Sequence, residues 1–377
     1  MSMNLRIGLS VIAAFILSFS LTPAVKWLAH RVGAIDVPKD DRRMHSIPIP
    51  RLGGLAIYIG FIVSVLLLAD ITRQIRGILL GSILIVAIGF IDDIKPLPAL
   101  PKLIVQIMAA MIAVSHGVVI EAFSNPFVFS TSKYIFLNNL SIPITIFWIV
   151  GITNSVNFID GLDGLAVGFS TICAISMLVI SLMVSDPNIA LIMAALTGAS
   201  LGFIPYNFNP AKIFMGDTGA LLLGFILANI SVHGLFKFYA AISLVAPFLV
   251  LALPLFDTAF AFLRRLLKGQ KPWTPDRGHL HHRLIDMGLN QRQAVGVLYA
   301  VSGISGIAAI IAAAIDNLGV LILMIVLIIC VPIVFIISRG KLRVWAARRN
   351  NNTGKIDGIP ATSKSGPTGN IEGRDEQ

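Results

Sequence analysis

The sequence predicts an all-α polytopic membrane protein of about 11 transmembrane helices, with its N-terminus outside and its C-terminus in the cytoplasm. Three observations predict it. The chain of 377 residues is 56% hydrophobic and only 13% charged, against the roughly 25% charge of a soluble domain. Its apolar residues run in long blocks with short polar breaks, and a bilayer core takes about 20 apolar residues per helix. Its Lys and Arg residues fall almost entirely in alternate loops, the positive-inside pattern.

The expected spans are residues 5–28, 52–69, 75–91, 101–118, 142–159, 164–185, 188–207, 218–236, 239–263, 293–315 and 318–338. The first resembles a signal peptide in place only. Its apolar run is long, only Arg6 precedes it, and Lys26 and Arg31 follow it, which suits a retained helix. Pro247 and Pro254 should kink or interrupt the ninth span. With the N-terminus outside, 24 of the 29 Lys and Arg residues face inward, and Arg6, Arg73, Arg76, Lys133 and Lys237 face outward. Residues 1–345 then read as one transmembrane domain. Residues 346–377, rich in Asn, Gly, Ser and Thr, read as a disordered cytoplasmic tail.

The net charge of +10 raises nucleic acid as a partner, but its location makes it mainly an insertion signal, so no nucleic acid is expected. The same charge suits an anionic substrate or lipid headgroups. Cys173 and Cys330 lie in apolar blocks and suggest neither a disulfide nor a metal site. His116 and His233 fall near the outer face and receive no role.

Five polar clusters share the inner face. The first is Asp40-Asp41-Arg42-Arg43-Met44-His45 with Pro50-Arg51-Leu52-Gly53-Gly54. Its glycines would let backbone approach a ligand at an anion-favouring helix end; an ordinary basic loop is the alternative. The second, Asp92-Asp93, ends the third span. Adjacent carboxylates at a membrane boundary are costly unless paired or metal-bound, and on a helix they point about 100° apart, toward different partners. A polar helix stop is the plainer reading.

The third cluster is Asn154, Asn157, Asp160 and Asp163. Each i,i+3 step drifts about 60° on a helix, so at most three neighbours share a face, and Gly161 and Gly164 should break the helix so that the rest converge. Amide and carboxylate oxygens so dense suit a hard cation or a polar ligand. The fourth, Phe214-Met215-Gly216-Asp217-Thr218-Gly219, opens the eighth span; Asp217 or Thr218 could cap that helix or serve a phosphate–metal site. The fifth, Arg277-Gly278-His279-Leu280-His281-His282-Arg283, puts His279 and His282 on one helical face. Zinc is the alternative there, but the other clusters supply oxygen ligands, and histidines beside arginines suit phosphates. Asp257 should pair with Arg264 or Arg265.

Together these groups suggest Mg2+, which keeps few protein ligands and binds substrate phosphates. No Walker motif is present, which argues against ATP hydrolysis. Phosphoryl transfer to a lipidic acceptor is the economical reading. A transporter is the rival class, since intramembrane charge marks transport pathways. Apart from Asp257, however, the acidic residues crowd one face and form no midplane relay.

In this order, Pro-Arg-x-Gly-Gly, Asp-Asp, Asn-x-x-Asn-x-x-Asp-Gly-x-Asp-Gly-Leu, Met-Gly-Asp-Thr-Gly and His-x-His-His resemble the motifs of the polyprenyl-phosphate N-acetylhexosamine-1-phosphate transferases, over residues 45 to 283. The segment 275–284 is similar to the GlcNAc-1-phosphate branch that starts teichoic acid linkage units or O-antigen-type glycans. The phospho-MurNAc-pentapeptide branch shows three consecutive histidines, which Leu280 interrupts here. The resemblance implies transfer of GlcNAc-1-phosphate from UDP-GlcNAc to undecaprenyl phosphate, with release of UMP, at the cytoplasmic face of a bacterial inner membrane. Another UDP-HexNAc or UDP-MurNAc-pentapeptide is the alternative donor.

It further implies Mg2+, or Mn2+ in its place, and leaves a homodimer open. By residue, Asp217 would bind the metal with Asn157 or Asp160 assisting. Asp92 would act as base or orienter for the lipid phosphate, supported by Asp93. Asp160 and His279 complete the expected catalytic set. Phe214 would stack on uracil, with Asp163 and the Gly161-Leu162 backbone at its edge. Arg51, Asn154, His281, His282 and Arg283 would bind substrate. The kinked ninth span would shape a groove for the prenyl chain.

Overall fold

The computed structural model describes residues 1–38, 47–124, 134–184, 186–235, 242–267, 269 and 278–314. The Asp40–His45 cluster, Arg277, Cys330, the eleventh expected span and the tail lie outside the described residues. The protein is an all-α polytopic membrane protein. Among the described residues seven helices are long and apolar enough to cross a membrane, and two more, Gly54–Leu68 and Ala99–Ser115, are shorter and apolar.

In order the helices are α1 (Met3–Val32), α2 (Gly54–Leu68), α3 (Arg73–Ile94), α4 (Ala99–Ser115), α5 (Ser141–Phe158), α6 (Leu165–Met183), α7 (Pro187–Asn207), α8 (Gly216–Ile230, followed by a π-helical turn), α9 (Ile242–Val250), α10 (Ala252–Leu267), α11 (Leu280–Asp286) and α12 (Gln291–Ala314). Each of the first ten expected spans meets a helix or, for the ninth, two. That span breaks at Leu251 between α9 and α10, with Pro254 in the first turn of α10, where a missing N–H costs least. Two short ribbons were not expected. One pairs β1 (Ile35–Asp36) with β2 (Ile49–Pro50), the other β3 (Ala122–Ser124) with β4 (Tyr134–Phe136), both antiparallel.

Helices α6, α7 and α8 form the buried centre, and α1 lies at the periphery. Lipid gives apolar helices no hydrophobic reason to associate, so close approach through small residues must hold them. Along α1 this is direct: a Cβ on Gly198 of α7 would lie 2.2 Å from the carbonyl of Val11, and one on Gly60 of α2 would lie 2.8 Å from that of Ala14. Ser10 adds hydrogen bonds to Ser64 Oγ (3.0 Å) and the Leu191 carbonyl (3.1 Å).

The helices alternate in direction, so their ends sort to two sides. On one side Arg6, at the start of α1, donates to the carbonyl of Leu68, the last residue of α2 (3.0 Å), and to Asp70 just beyond it (3.3 Å). Nearby, Arg73 opens α3 and donates to the Ser115 carbonyl at the end of α4 (2.8 Å). The opposite side receives the ends of α1, α3, α5 and α7 and the starts of α2, α4, α6 and α8. The polar clusters gather there.

Candidate active site

The site is assembled by backbone before any side chain takes part. Phe214 N–H donates to the Pro50 carbonyl (2.8 Å), Gly53 N–H to the Phe214 carbonyl (2.9 Å), and Gly54 N–H to the Met215 carbonyl (2.8 Å). The first and fourth clusters are therefore one structure. A Cβ on Gly54 would lie 2.0 Å from the Gly219 nitrogen. Gly54 thus allows α2 to approach α8, while Gly53 admits the Phe203 ring of α7, where a Cβ would lie 2.3 Å from it.

Adjacent Asp92 and Asp93 diverge as their helical spacing requires. Asp93, 1% exposed, accepts from the Asp217 N–H (2.9 Å), the Thr218 N–H (3.1 Å) and Thr218 Oγ1 (2.6 Å). It caps α8 from another helix, so neither Asp217 nor Thr218 is the cap. Gly216, with φ of 68°, is required beside it, since a Cβ would lie 2.3 Å from Asp93 Oδ2. Asp92 accepts from the Leu97 N–H (2.7 Å) and pairs with Lys102 Nζ (3.3 Å). Arg51 seals the end of α3, donating Nε to the Asp93 carbonyl (3.1 Å) and Nη2 to the Asp92 carbonyl (3.0 Å).

Asp217 therefore opens α8 with its carboxylate toward the cavity, and it meets Asn157 Nδ2 (3.2 Å) and Lys102 Nζ (2.9 Å). The contact brings together the two residues expected to share a metal. Asn154 goes elsewhere: it pairs with Gln106 on α4 and is not among the residues that line the cavity. The drift of an i,i+3 step accounts for this, turning Asn154 toward α4 while Asn157 faces α8.

Helix α5 ends at Phe158 and α6 begins after Gly164, whose φ is 78°. The turn between them carries Asp160 to Asp163. Asp163 Oδ2 accepts from Asn209 Nδ2 and the Ala211 N–H, both at 3.0 Å, so it also holds the segment after α7. Asp160 borders the cavity. Burial, and then the charges of Asp217, Asp93 and Asp163, push its carboxyl up to about 8.

The histidines divide. His279 caps nothing; its Nδ1 meets Asp257 Oδ2 at 2.8 Å, and Asp257 Oδ1 accepts the Leu280 N–H at 2.8 Å. Asp257 thus anchors α11, while Arg264 donates to the Gly278 carbonyl (3.0 Å); the expected Asp257–arginine pairing is corrected. His279 and His281 are both buried and off the cavity lining. His281 backs Gly161, where a Cβ would lie 2.3 Å from its Nε2. Burial, followed by His282, pushes the His281 imidazole down to about 4. Only His282 of the three lines the cavity, and Arg283 is exposed outside it.

The cavity has a volume of about 320 Å³ and is lined by Asp36, Arg51, Asp93, Asn157, Asp160, Gly161, Leu162, Asp163, Asn207, Phe214, Gly216, Asp217 and His282. Each of the five clusters contributes to it, and Asp92, which is not a lining residue, meets the lining carboxylate of Asp217. Sequence reasoning missed Lys102, Asp36 and Asn207. Lys102 carries a usable signal, a charge at the mouth of an apolar span, but such a lysine reads equally as an insertion signal.

Among the described residues no three His, Cys, Asp or Glu side chains form a ready metal cage. The donor set nevertheless fits Mg2+, which needs one or two carboxylates and takes water or substrate phosphate for the rest. Asp217 and Asn157 touch, Asp160 stands close enough to Asp217 for that carboxylate's charge to raise its pKa, and a cation would relieve that crowding.

Fold and site thus define a polytopic membrane protein with an acidic polar cavity at one end of its helices. Comparison with known proteins narrows this. A family model described as glycosyl transferase family 4 matches residues 75–235. A probable undecaprenyl-phosphate N-acetylglucosaminyl 1-phosphate transferase of Bacillus subtilis is 40% identical over 79% of this chain and 82% of that protein. A decaprenyl-phosphate N-acetylglucosaminephosphotransferase of Mycolicibacterium smegmatis is 37% identical over 79% and 80%. A phospho-N-acetylmuramoyl-pentapeptide-transferase of Staphylococcus aureus is 31% identical over 79% and 95%. The chain belongs to glycosyl transferase family 4, among the polyprenyl-phosphate N-acetylhexosamine-1-phosphate transferases, and is a membrane-bound transferase.

Proposed function

We propose that the protein transfers GlcNAc-1-phosphate from UDP-GlcNAc to undecaprenyl phosphate, giving undecaprenyl-diphospho-GlcNAc and UMP, as the first membrane step of a cell-wall or surface glycan. One observation carries the reading: Arg51, Asn157, Asp160, Asp163, Phe214, Asp217 and His282, far apart in sequence, line one cavity where helix ends meet. The donor assignment is supported by the identity to GlcNAc-1-phosphate transferases exceeding that to the pentapeptide transferase, and by Leu280 interrupting the histidine run.

We assign the cavity to the cytoplasmic face of a bacterial plasma membrane, because the ends bordering it are those that carry the Lys and Arg excess. This is the orientation expected from the sequence, with the N-terminus outside.

In the reaction an oxygen of the lipid phosphate bonds to the sugar-bearing phosphorus, and the bond from that phosphorus to the bridging oxygen of UMP breaks. A phosphate monoester has a second pKa near 6, so the attacking oxygen needs no strong base at neutral pH. Asp92 then orients, held by the Leu97 N–H and Lys102. Asp217 and Asn157, with Asp160, would hold Mg2+, which would supply positive charge to offset that of the diphosphate. Phe214 offers a face for uracil and His282 a donor for the diphosphate or sugar. Asp93 and Arg51 keep α3, α2 and α8 in register.

The test is UMP release by the purified protein with Mg2+ and undecaprenyl phosphate, comparing UDP-GlcNAc, UDP-GalNAc and UDP-MurNAc-pentapeptide. UDP-GlcNAc should be preferred; preference for the pentapeptide donor would overturn the branch, and no release from any donor would overturn the reaction.

A further inference from the structure

Lys102 opens α4 and sends one ammonium to two carboxylates on different helices, at 2.9 Å from Asp217 Oδ2 and 3.3 Å from Asp92 Oδ1. Among the described residues no other lysine or arginine pairs with Asp217 or Asp92. Arg51 spends its guanidinium on the carbonyls of Asp92 and Asp93, and Asp93 spends its charge on the N-terminus of α8. Both oxygens of Asp217 face N–H donors, since Asn157 Nδ2 takes Oδ1 at 3.2 Å. Neither donor can keep that position toward a metal ion. The amide can rotate and present its carbonyl instead. The ammonium has no such alternative, and its charge repels a cation that approaches the same carboxylate.

We propose that Lys102 is a cationic placeholder: it offsets part of the negative charge that Asp217 and Asp92 share in the resting site and is displaced from Asp217 when the divalent cation binds. This rests on the reading that Asp217 holds that cation. Lys102 is built for the exchange. Its stem is flexible and its charge compact, unlike the rigid fork of an arginine, and its side chain keeps 24% of its surface exposed, so it has somewhere to go. The consequence runs against the usual effect of removing a residue from an active site. The cation must break the ion pair to enter, so Lys102 weakens metal binding. Removing its charge should strengthen that binding even as turnover falls.

The test uses the purified full chain in detergent without substrates. Free Mn2+ is followed by its paramagnetic resonance signal during titration of wild type, Lys102→Gln, Lys102→Arg and Asp217→Asn. Lys102→Gln should bind Mn2+ about tenfold more tightly, a modest share of the interaction of two charges at this distance, and Lys102→Arg should not. In parallel, wild-type protein is acylated with an amine-reactive ester and Lys102 modification is read by mass spectrometry. Saturating Mg2+ should raise labelling of Lys102 several-fold and leave Lys26 unchanged. Unchanged or weaker Mn2+ binding in Lys102→Gln overturns the placeholder, as does labelling that Mg2+ leaves flat or lowers. If Lys102→Gln does not fold, the wild-type labelling decides alone. If wild type binds no Mn2+, or Asp217→Asn binds it as wild type does, the metal reading of Asp217 has failed and the placeholder falls with it.

Discussion

Replacing Asp93 with Ala should cost the protein stability as well as turnover. The carboxylate is 1% exposed and accepts two backbone N–H groups and one hydroxyl at the start of α8. A hydrogen bond to a charged group is worth about 1.5–3 kcal/mol, and a buried donor left unmet costs about 1–3 kcal/mol. The Thr218 hydroxyl can rotate to another acceptor, whereas the two backbone donors cannot. The lost interaction with the helix dipole adds up to about 1 kcal/mol, and water entering from the cavity returns part. A net loss of about 3–5 kcal/mol follows, which lowers the melting temperature by about 5–10 °C in a domain this large. Thermal unfolding of the purified variant in detergent, followed by intrinsic fluorescence, measures it. An Asp93→Ala protein that melts with wild type yet has lost turnover would refute the capping role and make the carboxylate a substrate contact.

Asp92→Asn should reduce UMP release about a hundredfold with no recovery at high pH, because the residue orients and does not remove a proton; substantial recovery by pH 9 would make it the base. Gly161→Ala drives a methyl group to 2.3 Å from His281 Nε2, an overpacking worth about 1–3 kcal/mol. It should raise KM for UDP-GlcNAc about tenfold through displacement of α11, and an unchanged KM would contradict that coupling. His281 gives a pH dependence of stability. Its folded pKa of about 4 lies below the ordinary value near 6.5, so the unfolded chain takes up the proton first. Its contribution is intact above about 6.5 and is lost as pH falls from there toward 4, by up to about 3 kcal/mol. Unfolding measured across that window should be less acid-sensitive in His281→Asn, and an identical slope would show that the imidazole titrates normally.

What could be read in the sequence was what depends on local pattern. Apolar blocks of membrane length marked every described span, and the proline pair in the ninth marked its interruption. The 100° divergence of Asp92 and Asp93 is helical geometry and holds in the structure. The 60° drift along Asn154, Asn157 and Asp160 was equally available, and it is why Asn154 belongs to Gln106. What could not be read was pairing across distance. Nothing in Pro50-Arg51-Leu52-Gly53-Gly54 announces hydrogen bonds to Phe214 and Met215, so glycines that serve helix packing looked like ligand contacts. Asp257 looked bound to the arginines seven and eight residues on, while its partners lie on α11. Lys102 was invisible because one lysine at a helix start reads as an insertion signal until Asp217, 115 residues away, is placed beside it.

The central claim is that one cavity passes a sugar and its phosphate together to a membrane-held acceptor. It is tested most directly with UDP-GlcNAc carrying radioactive phosphorus in the sugar-linked phosphate, incubated with purified protein, Mg2+ and undecaprenyl phosphate. The label should move into the lipid fraction in step with unlabelled UMP, and Asp217→Asn should abolish the transfer. Label released as UDP, or remaining in the nucleotide sugar, would contradict the account.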